Sequence, residues 1–182
     1  LRRHGDHQTD ARMSRIHRRS CRAPRIVAML LAFGFLLTGC KQKEEPVLRE
    51  PEFQVEGTLD FLGPDGSPFL RIAVELAESQ EEQTRGLMGR RSLPSKGGML
   101  FVYPAEIKQS FWMKNTPLPL DFVFIADDSS IVNIVRRATP LSEERITSAG
   151  PARYVLELRA GFIDRYGIDE SARISWKRTE VG

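Results

Sequence analysis

The segment MLFVYPAEIKQSFWMKNTPLPLD, residues 99–121, is the part around which the rest of the chain is organised. Its apolar residues predict a buried strand at 99–103, and the alternation of large and polar side chains predicts a second strand at 109–114. Pro117 and Pro119 follow, and a proline has no backbone N–H to donate to a strand ladder. The segment therefore predicts two strands and a proline-containing corner that presents polar side chains.

Apolar alternation on both sides of this segment predicts further strands. In the clearest case Tyr154, Leu156 and Leu158 lie on one face, and the residues between them, Glu157 included, lie on the other. The expected strands outside the segment are 58–61, 70–76, 120–126, 131–135, 152–159 and 172–176. The third and fourth of these are separated by a short polar turn, so we expect them to form a hairpin.

Two short helices are predicted. Ser79 is followed three residues later by Glu82, which matches a capping box and predicts a helix that ends just before Gly89. Residues 162–166 predict a second helical turn. Residues 136–150 are mostly polar and are expected to form a long surface loop that covers a pocket.

Residues 1–39 predict a bacterial lipoprotein signal peptide. Several arginines precede an apolar run at 26–37, which is too short to read as a membrane-spanning helix. The sequence Leu37-Thr38-Gly39-Cys40 at its end resembles the lipobox that is cut before a cysteine that becomes lipidated. We therefore expect Cys40 to carry lipid, palmitate included, and to anchor the protein in the cell envelope.

The predicted cleavage divides the chain into three parts. Residues 1–39 are removed, residues 40–52 form a lipidated N-terminus and a charged tether, and residues 53–182 form a single α+β domain. Because no Asp follows Cys40, the resemblance to lipoproteins implies the outer membrane, with the domain facing the periplasm. The expected partners are the lipid bilayer and either a small polar ligand or an envelope protein.

Residues 40–182 are slightly acidic, although the whole chain has a net charge of +3. The leader holds 8 of the 27 Lys and Arg residues and 2 of the 24 Asp and Glu residues, which leaves 19 basic and 22 acidic residues after it. A nucleic-acid-binding domain normally carries a basic patch or stripe. We therefore expect no nucleic-acid partner.

The part after the leader contains no histidine and no free thiol. His4, His7, His17 and Cys21 all precede Cys40, which is itself lipidated in this interpretation. This composition excludes nucleophiles activated by histidine, histidine-ligated metals and a structural disulfide. Three methionines could hold copper(I), but methionines are more typical of core packing. We therefore expect no metal and no cofactor.

Several short motifs occur in a fixed order along the chain. They are Arg85-Gly86-Leu87-Met88, Gly98-Met99-Leu100-Phe101, Phe111-Trp112-Met113-Lys114-Asn115-Thr116, Pro119-Leu120-Asp121, Pro151-Ala152-Arg153-Tyr154-Val155-Leu156-Glu157-Leu158 and Gly161. Together they resemble the domain of unknown function 192 family over about residues 70–174. The resemblance implies an α+β fold with a mostly antiparallel, strongly curved sheet or partly closed barrel and two short helices. It implies no reaction, so function has to be argued from the site.

Six residues interrupt otherwise apolar strands with a polar or amphipathic side chain. They are Trp112, Lys114, Asn115, Asp121, Arg153 and Glu157. An aromatic face beside amide, cationic and carboxylate groups is typical of a pocket for a small polar ligand. We therefore predict that these residues bind a small polar or carbohydrate-like ligand, or an extended segment of a partner protein.

Two other interpretations of these residues stay open. In a structural one, Arg153 or Lys114 forms ion pairs with Asp121 or Glu157 and no ligand binds, since buried charges are normally paired. In an enzymatic one, Asp121 and Glu157 are the two carboxyl groups of a hydrolase that acts on cell-envelope glycans. Nearby cations would oppose the raised pKa that the acid of such a pair needs.

Overall fold

A computed structural model describes residues 50–179. The predicted signal peptide, Cys40 and most of the tether lie outside this range. The elements in chain order are β1 (Gly57–Leu62), β2 (Pro68–Ala77), α1 (Gln80–Arg85), β3 (Gly97–Phe111), β4 (Leu120–Ile125), β5 (Ile131–Ala138), β6 (Ile146–Arg159), α2 (Phe162–Tyr166) and β7 (Arg173–Arg178). Neither of these two helices has the length and apolar character needed to cross a membrane.

The seven strands form one strongly curled sheet in the order β5-β4-β6-β3-β2-β1-β7. All neighbouring strands are antiparallel except β2 and β3, which run parallel. The curl brings the two outer strands towards each other, and the Ile174 N–H donates to the Ser129 carbonyl at 3.0 Å. The mostly antiparallel half-barrel with two short helices is confirmed. The parallel pair was not predicted.

Strand β3 runs through the middle of the sheet and replaces the two separate strands expected at 99–103 and 109–114. It pairs with β6 on both sides of a bulge, because Val102 pairs with Tyr154 and Ile107 pairs with Ala152. Pro104 lies in the bulge, where no ladder hydrogen bond is required of it. The proline therefore does not end the strand.

The sheet buries apolar side chains on both faces. On β6, Leu156 and Leu158 contribute to one core cluster, whereas Val155 contributes to the other and Glu157 is buried beside it. This alternation confirms the predicted faces of the strand. Because both faces are covered along 155–158, the Glu157 side chain is withdrawn from water.

Helix α1 begins with the predicted capping box. The Ser79 hydroxyl accepts from the Glu82 N–H, and the Glu82 carboxylate accepts from the Ser79 N–H at 2.9 Å. The helix ends at Arg85, earlier than predicted, because Gly86 adopts φ 46° and ψ −132°. Residues that carry a side chain rarely adopt this backbone conformation. Gly86, rather than Gly89, therefore ends the helix.

The loop predicted at 136–150 is shorter than expected. Strand β5 continues to Ala138 and β6 begins at Ile146, which leaves only residues 139–145 between them.

The start of β1 and the end of β7 lie side by side. Gly57 pairs with Arg178, and the following Thr179 N–H donates to the Glu56 carbonyl at 2.8 Å.

Candidate functional site

The corner at residues 112–116 is held between two loops. The Gly89 N–H donates to the Asn115 carbonyl at 2.8 Å, and the Met113 N–H donates to the Ser142 carbonyl at 2.9 Å. Asn115 adopts φ 56°, a left-handed conformation that Asn tolerates better than most residues. The corner thus joins the end of β3 to the loop after α1 and to the loop between β5 and β6.

A cavity of about 250 Å³ opens beside this corner, and we call it the Glu157 pocket. It lies between the end of α1, the middle and end of β3, the middle of β6 and the 139–145 loop with Arg145 at its end. Its lining residues are Gln83, Thr84, Arg85, Gly86, Leu87, Met88, Phe101, Tyr103, Ser110, Phe111, Trp112, Thr116, Arg145 and Glu157.

The last turn of α1 forms one wall of the pocket. The Gln83 side-chain amide lies 3.0 Å from the Val102 carbonyl and 3.3 Å from the Ala77 carbonyl, so it fixes the helix to β2 and β3. A methyl group added to Gly86 would lie 3.1 Å from the Phe101 ring and 3.9 Å from Glu157 Oε2. The glycine therefore leaves the space through which the carboxyl group faces the cavity.

Glu157 forms the floor of the pocket. The residue is only 5% exposed, and its buried Oε2 atom has no hydrogen-bond partner within residues 50–179. Burial raises the pKa of Glu157 from 4.5 to about 8, because removing a carboxylate from water disfavours the charged form. At neutral pH the group is therefore mostly an uncharged carboxylic acid, which both donates and accepts a hydrogen bond.

Tyr103 lies near this acid at the start of the bulge in β3. Burial, together with the charge of Glu157 when it is ionised, raises the pKa of Tyr103 to about 12. The phenol therefore stays protonated throughout the range in which Glu157 titrates. The ring of Phe111 packs edge-on against Phe101 with their centroids 5.0 Å apart, so part of the pocket wall is aromatic.

Cations and an aromatic ring surround the mouth of the pocket. Trp112 is 36% exposed, and the Arg145 guanidinium lies 4.7 Å from the centre of its ring. The Lys114 ammonium lies 5.1 Å from the same ring and 3.5 Å from a Glu143 carboxylate oxygen. In contrast, neither Arg85 nor Arg145 forms an ion pair with another residue of the described chain.

The structure brings together only part of the predicted set. Trp112 and Glu157 line the same pocket, and Lys114 lies beside it against the tryptophan. The Asn115 side chain is exposed at the corner, where its contribution to the fold is the carbonyl that accepts from Gly89. Arg153 does not line the pocket; it forms an ion pair with Asp127 after β4.

Asp121 has a structural environment. It is 1% exposed, and its carboxylate accepts from the Arg137 N–H at 2.8 Å and from the Ile163 N–H at 3.2 Å. The second contact caps the start of α2, where Gly161 has no side chain with which to do so. The Asp121 carboxylate thus ties β4 to β5 and to α2.

The carboxyl pair of the hydrolase interpretation does not form. Asp121 pairs with Leu158 and Phe122 pairs with Glu157, so the two carboxyl groups lie on opposite faces of the sheet. The ion pairs of the structural interpretation are also wrong, because Lys114 pairs with Glu143 and not with either of these acids. Nearby cations were expected to oppose a raised carboxyl pKa. That expectation is wrong for Glu157, because burial raises its pKa.

A second buried acid lies near the pocket. Glu75, Met99 and Glu157 are cross-strand neighbours on β2, β3 and β6, so their side chains share one face. Unlike Glu157, Glu75 has a charged partner, because the Arg90 guanidinium lies 2.7 Å from its Oε1 atom. The two acids are therefore similarly buried, but only Glu75 forms an ion pair.

Sequence reasoning missed three pocket residues, namely Arg85, Tyr103 and Arg145. Arg85 lies in the last turn of a helix, where a basic residue is ordinarily explained by the helix dipole, and Arg145 lies within the segment expected to be a loop. The motif Arg85-Gly86-Leu87-Met88 was the available signal, because four motifs of the resemblance contribute residues to the same pocket. Their proximity depends on the parallel pairing of β2 with β3, which no local pattern indicates.

Comparison with known proteins gives a family and no activity. The model of the family described as uncharacterised ACR, domain of unknown function 192, matches residues 62–176. A search of curated proteins finds no match.

Two solved structures resemble the chain closely. A protein from Sinorhizobium meliloti, provisionally described as a transcription regulator, shares 36% sequence identity with a TM-score of 0.64 over 69% of this chain and 97% of that chain. A protein of unknown function from Novosphingobium aromaticivorans shares 34% identity with a TM-score of 0.62 over 65% of this chain and 84% of that chain. The family match begins at the end of β1 and reaches into β7. The chain therefore belongs to the domain of unknown function 192 family.

Proposed function

We propose that this protein binds a small polar ligand in the Glu157 pocket. The observation that carries the proposal is the buried Glu157 Oε2 atom, which faces a cavity and has no hydrogen-bond partner in the described chain. A buried polar atom without a partner costs free energy, and such atoms are uncommon in folded proteins. A ligand that bonds to this oxygen would recover that free energy on binding.

The other buried acids support a binding role by contrast. Asp121 accepts two backbone N–H groups, and Glu75 pairs with Arg90. Each of these two acids therefore has protein partners, although the Glu75 Oε2 atom, like Glu157 Oε2, is buried without a hydrogen-bond partner among the described residues. Glu157 lacks an equivalent protein partner, and the cavity that it faces is lined by aromatic rings together with hydroxyl, amide and guanidinium groups. This composition is typical of pockets that hold small molecules, which combine apolar walls with a few polar groups.

A thermal-shift screen tests the proposal. The full-length protein is heated with envelope sugars, small carboxylates and small amines, each at a series of concentrations. A compound present at a hundredfold excess over its Kd should raise the Tm by roughly 5 to 10 °C. If no compound in the panel raises the Tm, the proposed function is wrong and Glu157 is a structural residue.

A matched pair of variants locates the binding site. Arg145 and Arg153 both lie over an aromatic ring, Trp112 at 4.7 Å and Tyr154 at 5.7 Å, but only Arg145 lines the pocket. We expect Arg145→Ala to lose most of the ligand-induced shift and Arg153→Ala to keep it. Equal responses of the two variants would place the ligand elsewhere, and a loss confined to Arg153→Ala would favour the site predicted from the sequence.

We also propose that Cys40 carries a lipid anchor that places the protein at the outer membrane, facing the periplasm. The support is the apolar run at 26–37 that ends in Leu37-Thr38-Gly39-Cys40. Growth with radiolabelled palmitate should label the wild-type protein, and Cys40→Ser should remain unlabelled. Label in both proteins, or recovery of the wild type outside the membrane fraction, would contradict the proposal.

A further inference from the structure

We propose that the ligand of the Glu157 pocket is a small carboxylate, which Arg85 and Arg145 attract to the mouth and to which the Glu157 carboxyl group donates a hydrogen bond. The inference rests on the proposed function and names the ligand class. It follows from three features of the pocket. They are the positive charge of its mouth, the uncharged carboxyl group of Glu157 at its floor, and the lack of a helix N-terminus among its walls.

The mouth of the pocket attracts anions. Arg85 and Arg145 line it, and neither has an ion-pair partner among residues 50–179. The only acidic lining residue is Glu157, which is mostly uncharged at neutral pH. The pocket is therefore positively charged before a ligand enters, and an arginine fork suits a carboxylate.

The floor offers a donor rather than a negative charge. A protonated carboxyl group that donates to a carboxylate forms a short, charge-assisted hydrogen bond. An ammonium ligand would instead need Glu157 to ionise, which at pH 7 lowers its affinity about tenfold for a group with a pKa of about 8. It would also have to pass the two arginines, so an amine is the less favourable ligand.

A phosphate fits the walls less well than a carboxylate does. Phosphate sites commonly use several backbone N–H groups at a helix N-terminus. Helix α1 presents its C-terminal turn, Gln83 to Arg85, to this pocket. Phe101 and Phe111 line the pocket with their rings in contact, and this aromatic part of the wall suits a flat or ring-shaped ligand with one anionic group.

The groups that face Glu157 make its ionisation the expected source of pH dependence between pH 7 and pH 9. Tyr103 has a pKa of about 12 and stays protonated in this range. Beyond Met99, Glu75 is held in its ion pair with Arg90, and β4 presents the apolar Phe122. Carboxylate affinity should therefore fall about tenfold from pH 7 to pH 9 as Glu157 becomes charged.

Calorimetric titration of the full-length protein with matched probes tests the inference. The acids are D-glucuronate and benzoate, and their neutral counterparts are D-glucose and benzyl alcohol. At pH 7 at least one acid should bind tenfold or more tightly than its neutral counterpart, and its affinity should fall about tenfold at pH 9. Glu157→Gln keeps a donor but cannot ionise, so the affinity of this variant for the acid should lose most of its dependence on pH between pH 7 and pH 9.

Several results would overturn the carboxylate inference while leaving a ligand-binding function intact. One is that the neutral counterparts bind as tightly as the acids. Others are that glucose 6-phosphate binds more tightly than glucuronate, or that benzylamine binds with an affinity that rises from pH 7 to pH 9. An unchanged pH dependence in a folded Glu157→Gln protein would also overturn it. The proposed function itself fails if every compound in the thermal-shift panel fails, or if the Arg145→Ala and Arg153→Ala variants place the ligand outside the pocket.

Discussion

Replacement of Glu157 by glutamine should make the protein increasingly more stable than the wild type as the pH rises from 5 to 8. The carboxyl group has a pKa of about 8 in the folded state and about 4.5 when it is exposed. Between these values it releases its proton only on unfolding, so the free energy of unfolding falls as the pH rises. From pH 5 to pH 8 the loss amounts to roughly 3 to 4 kcal/mol. Glutamine cannot ionise and avoids this loss.

Urea denaturation of both proteins at pH 5, 6, 7 and 8 measures this effect. The difference in the free energy of unfolding should widen with pH and level off above about pH 8, where the folded protein also releases the proton. Glu143→Gln is the control, because the Glu143 side chain is 64% exposed and paired only with Lys114. A Glu157→Gln curve that stays parallel to the wild-type curve would refute the reasoning.

Three further substitutions test buried contacts of the fold. Asp121→Ala removes the acceptor of two backbone N–H groups and should lower the free energy of unfolding by roughly 2 to 4 kcal/mol. Arg90→Ala leaves Glu75 buried without its charged partner and should cost roughly 3 to 5 kcal/mol. Gly98→Ala places a methyl group 2.8 Å from the Glu157 carbonyl oxygen and should cost about 1 to 3 kcal/mol. Urea denaturation at pH 7 measures all three.

Each of these three substitutions has a matched control variant elsewhere in the chain. Asp127→Ala and Arg71→Ala remove one member of an exposed ion pair and should change the free energy of unfolding by less than about 1 kcal/mol. Gly150→Ala meets its nearest neighbour at an ordinary 3.5 Å and should change it little. Similar costs for a variant and its control would mean that the buried contact contributes no more than a surface one.

The strands and helix caps were predictable because their signals are local. Alternation along 152–159 gave the correct faces of β6, and the spacing of Ser79 and Glu82 gave the start of α1. Both patterns depend only on the geometry of a single strand or a single helical turn. A sequence therefore indicates them without any knowledge of the tertiary fold.

Errors arose where the tertiary fold changes the meaning of a local signal. Pro104 indicates the end of a strand, but here it occupies a bulge, so β3 continues past it. Gly86 and Gly89 both favour the end of a helix, and the helix ends at the first of them. There the Phe101 ring leaves little room for a side chain at position 86. Neither outcome follows from the residue types alone.

The candidate site was predictable only in part. Trp112 and Glu157 were identified because each interrupts an apolar strand, and both line the pocket. The pairing of charges could not be predicted, because it depends on the register between strands. The register places Asp121 opposite Leu158 and turns its carboxylate away from Glu157. A shift by one residue would exchange these faces, and no local pattern determines it.

The pairing of β1 with β7 has a practical consequence for engineering the chain. Glu56 and Thr179 are joined by a backbone hydrogen bond, so the chain enters β1 and leaves β7 at neighbouring positions. A short glycine-serine linker could connect these positions, and new termini could be opened in the exposed turn at 64–66. Such a circular permutant would keep the strand pairings around the pocket, and its new termini in the turn at 64–66 would be available for reporter fusions.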